Sequence, residues 1–98
     1  MGDLINQKIK YMTLALEQAE LASKKGEVPV GAVLVLNKKI VLSHNTSVSK
    51  IDPTSHAEIN VIREMSAFIN NYRLIDSEMF VTLEPCLMCL GAAVNAKH

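Results

Sequence analysis

The sequence predicts a single α/β domain in which helices pack on a small sheet, in the element order α-β-β-α-β-α. Two observations support this prediction. Apolar residues recur at helical spacing in an N-terminal and a central segment, and apolar runs rich in β-branched residues lie between and after them. Helices that alternate with strands are typical of layered α/β domains. The 98 residues are enough for one domain, residues 1–98.

The N-terminal half predicts a helix followed by a β-hairpin. The helix covers residues 4–25, and Gly26 is placed to end it. Its predicted core face consists of residues at helical spacing: Ile5, Ile9, Met12, Leu16 and Ala19. The apolar run from Val28 to Leu36 predicts a buried strand. A polar turn at 37–39 then leads into a returning strand at 40–43.

The C-terminal half predicts a loop, a helix, a strand and a last helix. Residues 46–55 are polar and contain Asp52-Pro53, which is typical of a loop. Apolar spacing predicts a helix at 56–69, and a third strand is predicted at 79–83. Pro85 suits the first turn of a third helix. That helix is apolar on nearly every face, so we expect it to be buried between layers.

Composition excludes several classes of protein. The apolar fraction of 49% is too high for a disordered chain. No apolar run reaches the ~18 residues that a membrane-spanning helix needs. The first ten residues lack the apolar core of a secretion signal, so we expect a cytoplasmic protein. The net charge is zero, which gives none of the basic footprint typical of nucleic-acid binders.

Two short motifs, each at a predicted helix start, carry the chemistry. They are His56-Ala57-Glu58 and Pro85-Cys86-Leu87-Met88-Cys89. One imidazole and two thiolates leave the fourth position of a tetrahedral zinc ion open for water, which is the catalytic arrangement. H-x-E followed by P-C-x-x-C is the established signature of zinc-dependent base deaminases.

The position of the motifs suits this chemistry. Helix N-termini carry partial positive charge, which favours thiolate over thiol at Cys86 and Cys89. Glu58 is then placed to take a proton from a water molecule and pass it to a ring nitrogen. Residues two apart do not normally share a helix face. We therefore expect the site to wrap around the start of the helix if His56 and Glu58 both serve it.

Other interpretations of the same residues remain open. Cys86 and Cys89 alone also fit a thioredoxin-like redox pair. Ser55 and Glu58 fit a capping box, in which the glutamate only bonds the Ser55 N–H. A structural zinc site would need a fourth ligand, and the spacing of His44 and His98, the only other histidines, suggests neither.

The sequence resembles the cytidine and deoxycytidylate deaminase superfamily, and within it the bacterial tRNA-specific adenosine deaminases. The resemblance extends from the first helix to the end of the chain. It is strongest in the segments Glu27–Val33, Asp52–Ile59, Asn71–Leu74 and Val81–Ala92. Related guanine and cytosine deaminases share Pro-Thr-x-His-Ala-Glu and Glu-Pro-Cys-x-Met-Cys, so a small-molecule deaminase is the alternative.

The resemblance implies a three-layer α/β/α fold and assigns a role to individual residues. The zinc ligands would be His56, Cys86 and Cys89. Glu58 would be the catalytic proton shuttle. The residues that contact the nucleoside would be Asn45, Val28, Pro29 and the Ala57 backbone. The implied reaction is hydrolytic conversion of adenosine to inosine at the tRNA wobble position, by a homodimer that contacts the anticodon loop.

The chain is shorter than the proteins of that family. Family members continue beyond the Cys-x-x-Cys helix with two more strands and one or two helices, so we expect residues 1–98 to form an incomplete deaminase domain. An inactive truncated form is one alternative to an active enzyme. A non-catalytic zinc-binding remnant that needs a partner chain is another.

Overall fold

The structure is a computed structural model that describes residues 2–83 and 87–97. The predicted element order is confirmed. The elements are α1 (Gly2–Lys24), β1 (Gly31–Leu36), β2 (Lys39–His44), α2 (Ala57–Ile69), β3 (Glu78–Val81) and α3 (Leu87–Lys97). No helix in this part of the chain has the length and apolar character needed to cross a membrane.

The three strands form one antiparallel sheet with the order β2-β1-β3. Gly31 lies against the main chain of α1, whereas Ala32 and Leu34 pack in the core cluster with Val61 and Met65 of α2. Successive residues of a strand point to opposite faces of a sheet. The helices α1 and α2 therefore cover opposite faces, and the layers are those of the expected α/β/α sandwich.

Strand β1 begins at Gly31, three residues later than the predicted start at Val28. The chain reverses direction after α1, where Gly26 has a φ of 76° and the Glu27 N–H donates to the Ala22 carbonyl at 2.9 Å. Val30 N–H donates to the Val28 carbonyl at 2.8 Å, which folds this segment into a tight turn. Residues 28–30 are therefore apolar but form a turn, and they are not part of β1.

The predicted core face of α1 is wrong. Ile5, Ile9 and Leu16 are each more than half exposed, and only Ala19 of that set is buried. The buried residues of α1 are instead alanines: Ala15, Ala19 and Ala22. The reason is the close approach of β1, since a Cβ added at Gly31 would fall on the main-chain atoms of Ala15 and Ala19. Only small side chains fit where two backbones lie this close.

The expectation that α3 is buried between layers is wrong for one of its faces. Cys89 and Ala96 are buried, but Gly91, Val94 and Asn95 are exposed. Within the described residues, α3 packs on α2 and on the turn before β3, where Leu74 N–H donates to the Ala96 carbonyl at 2.6 Å. Apolar composition on every face of a helix did not require packing on every face.

The loop at 46–55 is held by two carboxylates. Glu27 accepts the N–H groups of Val48 at 2.9 Å and Ser49 at 2.7 Å. The bond from Val48 is the main cause of the lowered pKa of Glu27. Asp52 accepts the Thr54 hydroxyl at 2.7 Å and the Ser55 hydroxyl at 3.0 Å. These bonds give the polar loop a defined conformation.

Replacement of Gly31 by alanine should strongly destabilise the domain. The added Cβ meets main-chain atoms of α1, which cannot rotate away. Overpacking of this kind costs ~1–3 kcal/mol or more in the free energy of unfolding. The matched control is Gly91→Ala, because no heavy atom of the described residues lies within 4 Å of the Cβ position there. Urea denaturation of both variants tests this prediction, and a Gly31→Ala midpoint equal to that of the wild type would contradict it.

The Asp52 carboxylate should contribute stability that disappears in acid. Bonds from Thr54 and Ser55 lower its pKa from 3.8 to about 2, chiefly through the Thr54 hydroxyl. Because the folded pKa is the lower one, the stabilisation is complete above pH 3.8 and is lost as the pH falls toward 2. Asp52→Asn should therefore lower the urea midpoint at pH 7, and the difference from the wild type should shrink between pH 4 and pH 2.

Glu64→Gln is the matched control, since Glu64 is an exposed carboxylate of α2. A midpoint difference between Asp52→Asn and the wild type that stayed constant from pH 7 to pH 2 would exclude the proposed role of the Asp52 charge.

Candidate active site

His56 lies at the N-cap of α2 and outside its helical repeat. Its backbone is extended, with φ −73° and ψ 155°, and its carbonyl accepts the first helical bond from Asn60 N–H at 2.9 Å. Glu58 lies within the first turn. The two side chains are therefore not related by helical geometry, and the rule that residues two apart diverge does not apply to them. This geometry is compatible with the predicted site that wraps around the helix start.

The capping-box interpretation of Ser55 and Glu58 is wrong. The N-cap is His56, and it has no side-chain capping bond. The Ser55 N–H donates to the Asp52 carbonyl at 3.1 Å, and the Ser55 hydroxyl donates to the Asp52 carboxylate. The Ser55 N–H and hydroxyl are therefore both bonded to Asp52, and Glu58 does not cap the helix through Ser55.

Glu58 is a buried residue, and its carboxylate has no protein partner among the described residues. The residue is only 4% exposed. Across residues 2–83 and 87–97, no hydrogen bond or ion pair reaches its carboxylate. The Glu58 carboxylate is therefore not engaged by the described part of the chain, which leaves it able to bond a water molecule or a ligand.

Cys89 lies in the first turn of α3 and is 1% exposed. Its Sγ is 3.6 Å from Nδ1 of His56. Zinc–sulfur and zinc–nitrogen bonds of ~2.3 Å and ~2.0–2.1 Å at a tetrahedral angle would separate the two ligand atoms by about 3.6 Å. The starts of α2 and α3 therefore meet at the distance that two ligands of one zinc ion need.

Cys86 lies outside the described residues, and so does His98. Within residues 2–83 and 87–97, no three His, Cys, Asp or Glu side chains are grouped as a metal site would require. The donor types present nevertheless fit zinc, because imidazole together with thiolate is a ligand set that zinc prefers. Glu58 adds the unpartnered carboxylate described above. The residues present are compatible with a catalytic zinc ion that Cys86 would help to hold.

Asn45 directly follows β2 and is 6% exposed. Its N–H donates to the Val30 carbonyl at 3.1 Å, which continues the pairing of β2 with the chain before β1. Among the described residues, no hydrogen bond reaches its side-chain amide. The adjacent Thr46 N–H donates to the Ser55 carbonyl at 2.9 Å. This bond places Asn45 and His56 on neighbouring segments, each one residue from the bonded pair.

The other predicted substrate contacts differ in exposure. Ala57 is fully buried beside His56, at the start of α2. Val28 is 60% exposed, and Pro29 is also exposed. A base pocket lined by Val28 and Pro29 would therefore be open to solvent on their side of this chain.

His44 faces α1 and takes no part in the contact between His56 and Cys89. Its Nε2 is 3.5 Å from the Lys25 ammonium, and its Nδ1 is 3.0 Å from Oε1 of Gln18. Since an ammonium only donates, Nε2 is the acceptor and Nδ1 carries the proton. Burial lowers the pKa of His44, which favours the neutral imidazole.

An apolar cavity of about 190 Å³ lies elsewhere, between the sheet and α3. The described residues that line it include Leu34, Leu74, Met79 and Ala93, and none of the predicted site residues that the structure describes. None of the described residues in its wall is titratable. The cavity is therefore distinct from the chemical site.

Sequence reasoning missed Asn60, which is 7% exposed on α2. Its side-chain amide donates to the His44 carbonyl at 2.9 Å and to the Thr46 hydroxyl at 2.9 Å. The one available signal was a polar residue one turn after His56, in a segment whose neighbours, Ile59 and Val61, are apolar.

Comparison with known proteins places these features in a family. The sequence profile of the cytidine and deoxycytidylate deaminase zinc-binding region matches residues 5–98. The tRNA-specific adenosine deaminase of Buchnera aphidicola subsp. Schizaphis graminum is 44% identical over 93 residues, which are 94% of this chain and 62% of that protein. The chain thus spans less than two thirds of that relative's length.

Two solved structures are similar in fold. One comes from studies of A-to-I editing by tRNA:A34 deaminases at the wobble position of transfer RNA. It has a TM-score of 0.90 and 41% identity, covering 93% of this chain and 71% of its own. The other is guanine deaminase from Bacillus subtilis, with a TM-score of 0.82 and 33% identity, covering 87% and 55%. From these matches and the profile, this chain belongs to the cytidine and deoxycytidylate deaminase family.

Proposed function

We propose that the chain carries the reaction centre of a zinc-dependent hydrolytic deaminase that converts adenosine to inosine at the wobble position of tRNA. The observation that carries this proposal is the 3.6 Å separation of His56 Nδ1 and Cys89 Sγ, at the start of the helix that buries Glu58. The similarity to tRNA-specific adenosine deaminases supports adenosine in tRNA as the substrate.

The metal ligands in this proposal are His56, Cys86 and Cys89. When bound, zinc supplies Lewis-acid activation of a water molecule near neutral pH. The helix N-terminus at Cys89 favours the thiolate form that a ligand needs. The extended backbone at His56 lets its ring leave the helix axis and meet Cys89. The thiolate form of Cys89 and its contact with His56 both depend on α2 and α3 starting close together.

Glu58 is the catalytic proton carrier in this proposal. It takes a proton from the attacking water while the water oxygen bonds to C6 of adenine, and it delivers that proton to ring N1. A second proton leaves the added hydroxyl through the same carboxylate and reaches the exocyclic amine, which departs as ammonia. The products are inosine and ammonia. A carboxylate without a protein partner is suited to this shuttle because no protein bond must break.

The nucleoside would be held by the groups around the entrance. Asn45 offers a side-chain amide that no described residue bonds. The backbone of Ala57 and the side chains of Val28 and Pro29 would line the base pocket. A wobble base lies in a loop and is already partly unstacked, so turning it into a pocket costs less than extracting it from a duplex. We propose a cytoplasmic homodimer in which both subunits contact the anticodon loop.

A guanine deaminase activity is the second candidate. The fold similarity to the Bacillus subtilis guanine deaminase, at a TM-score of 0.82, favours keeping it. Release of ammonia from free guanine, together with none from an anticodon stem-loop, would select this candidate.

Glu58→Ala should abolish inosine formation and leave the metal in place. General acid–base catalysis contributes ~10²–10⁴-fold to a rate, so a loss of at least 10²-fold is expected. The measurement is inosine in an anticodon stem-loop after incubation with each variant. The control is Glu64→Ala, which removes an exposed carboxylate of the same helix. Inosine formed at the wild-type rate by Glu58→Ala would refute the assigned role.

His56→Ala should lose bound zinc, whereas His44→Ala should keep it. His56 contacts Cys89, and His44 is bonded to α1 through Gln18. Metal analysis of soluble, size-fractionated protein should find about one zinc per chain in the wild type and in His44→Ala. Equal zinc content in the two histidine variants would remove the basis for the ligand assignment.

A further inference from the structure

The side-chain amide of Asn60 connects α2 to two other segments, the end of β2 around Asn45 and the residue before His56. It donates to the His44 carbonyl at 2.9 Å and to the Thr46 hydroxyl at 2.9 Å, and it approaches the Ser55 carbonyl at 3.4 Å. The first two acceptors lie one residue before and one residue after Asn45. The third lies one residue before His56. One NH₂ group thus borders both a proposed substrate contact and a proposed metal ligand.

The backbone around Asn45 depends on these bonds. Asn45 N–H bonds Val30, and Thr46 N–H bonds Ser55. The Thr46 hydroxyl lies 3.4 Å from the Ser55 carbonyl and can donate to it while it accepts from Asn60. The His44 carbonyl, at the end of β2, accepts a hydrogen bond from the Asn60 side-chain amide. Asn60 therefore fixes the chain on both sides of Asn45.

The same residue is coupled to His56 through the helix. Asn60 N–H donates to the His56 carbonyl at 2.9 Å, so its backbone closes the first turn while its side chain faces the loop. Burial of this amide, at 7% exposure, makes the lost bonds costly to replace with water. A donor is required at this position because all three neighbouring groups are oxygen atoms.

We propose that Asn60 is a positioning residue that keeps Asn45 and His56 at a fixed distance from each other. The proposed substrate contact and the proposed zinc ligand are then held in a constant relative position. This role rests on the proposed function. Outer partners of metal ligands typically contribute 10–100-fold to metal affinity or activity. Asn60 would act through the backbone next to the ligand, without contact to metal or substrate.

The test replaces the donor without changing the shape. Asn60→Asp places an acceptor against three oxygen atoms, and zinc affinity measured by chelator competition should fall at least tenfold. Thr46→Val removes one partner only, and it should give a smaller fall in the same direction. Val61→Ala is the control for general destabilisation. It creates a cavity at a fully buried position of the same helix and should leave zinc affinity unchanged.

A second readout separates positioning of Asn45 from a general structural effect. In the deamination assay at saturating zinc, where the metal site is filled in every variant, Asn60→Asp should lower kcat/KM by at least tenfold. Added to Asn45→Ala it should lower kcat/KM much less, because both changes then act on one contact. Full additivity of the two changes would overturn the link to Asn45.

The outcomes distinguish this role from the proposed function. A wild-type chain that binds no zinc overturns the proposed function, and with it the role of Asn60. A zinc-binding wild type with Asn60→Asp at unchanged zinc affinity overturns the role of Asn60 alone. A fall in zinc affinity equal to that of Val61→Ala does the same, because it shows only a loss of stability.

Discussion

The close approach of Gly31 to α1 sets the geometry of the site end of the sheet. Its missing Cβ lets β1 lie against the main chain of α1. Its N–H donates to the Thr82 hydroxyl at 3.2 Å, and its carbonyl accepts the Thr82 N–H at 3.1 Å. On the other edge it pairs with His44. One glycine therefore positions the end of β2, which leads to Asn45, and the end of β3, which leads toward the Cys-x-x-Cys helix.

The second constraint is the pairing of two helix starts. His56 and Cys89 are 33 residues apart in sequence, yet their side chains meet because α2 and α3 both begin at the same end of the core. The loop between β2 and α2 brings Asn45 to that place. It is fixed by bonds to Glu27 and Asp52 on one side and to Asn60 on the other. Hydrogen bonds of polar groups thus fix the conformation of this loop, as apolar packing fixes the core.

The sequence predicted those features that depend on short-range patterns. Apolar spacing predicted the number and order of the elements, and the two motifs predicted that His56 and the Cys-x-x-Cys segment approach each other in space, which the contact of His56 with Cys89 matches. It failed where the answer depends on distances between elements. The exposed aliphatic side chains of α1, such as Ile9, could not be recognised without knowing that Gly31 admits only alanines beneath it. Asn60 was missed because two of its three acceptors are backbone carbonyls, which carry no sequence signal, and the third, the Thr46 hydroxyl, lies 14 residues away in sequence.

The most direct measurement of the central claim is the zinc K-edge X-ray absorption spectrum of the zinc-loaded 98-residue chain. A site built from His56, Cys86 and Cys89 with one open position predicts two sulfur atoms at ~2.3 Å and two nitrogen or oxygen atoms at ~2.0–2.1 Å. A shell of four light atoms, or of four sulfur atoms, would contradict the account, because the starts of α2 and α3 would then not share one metal ion.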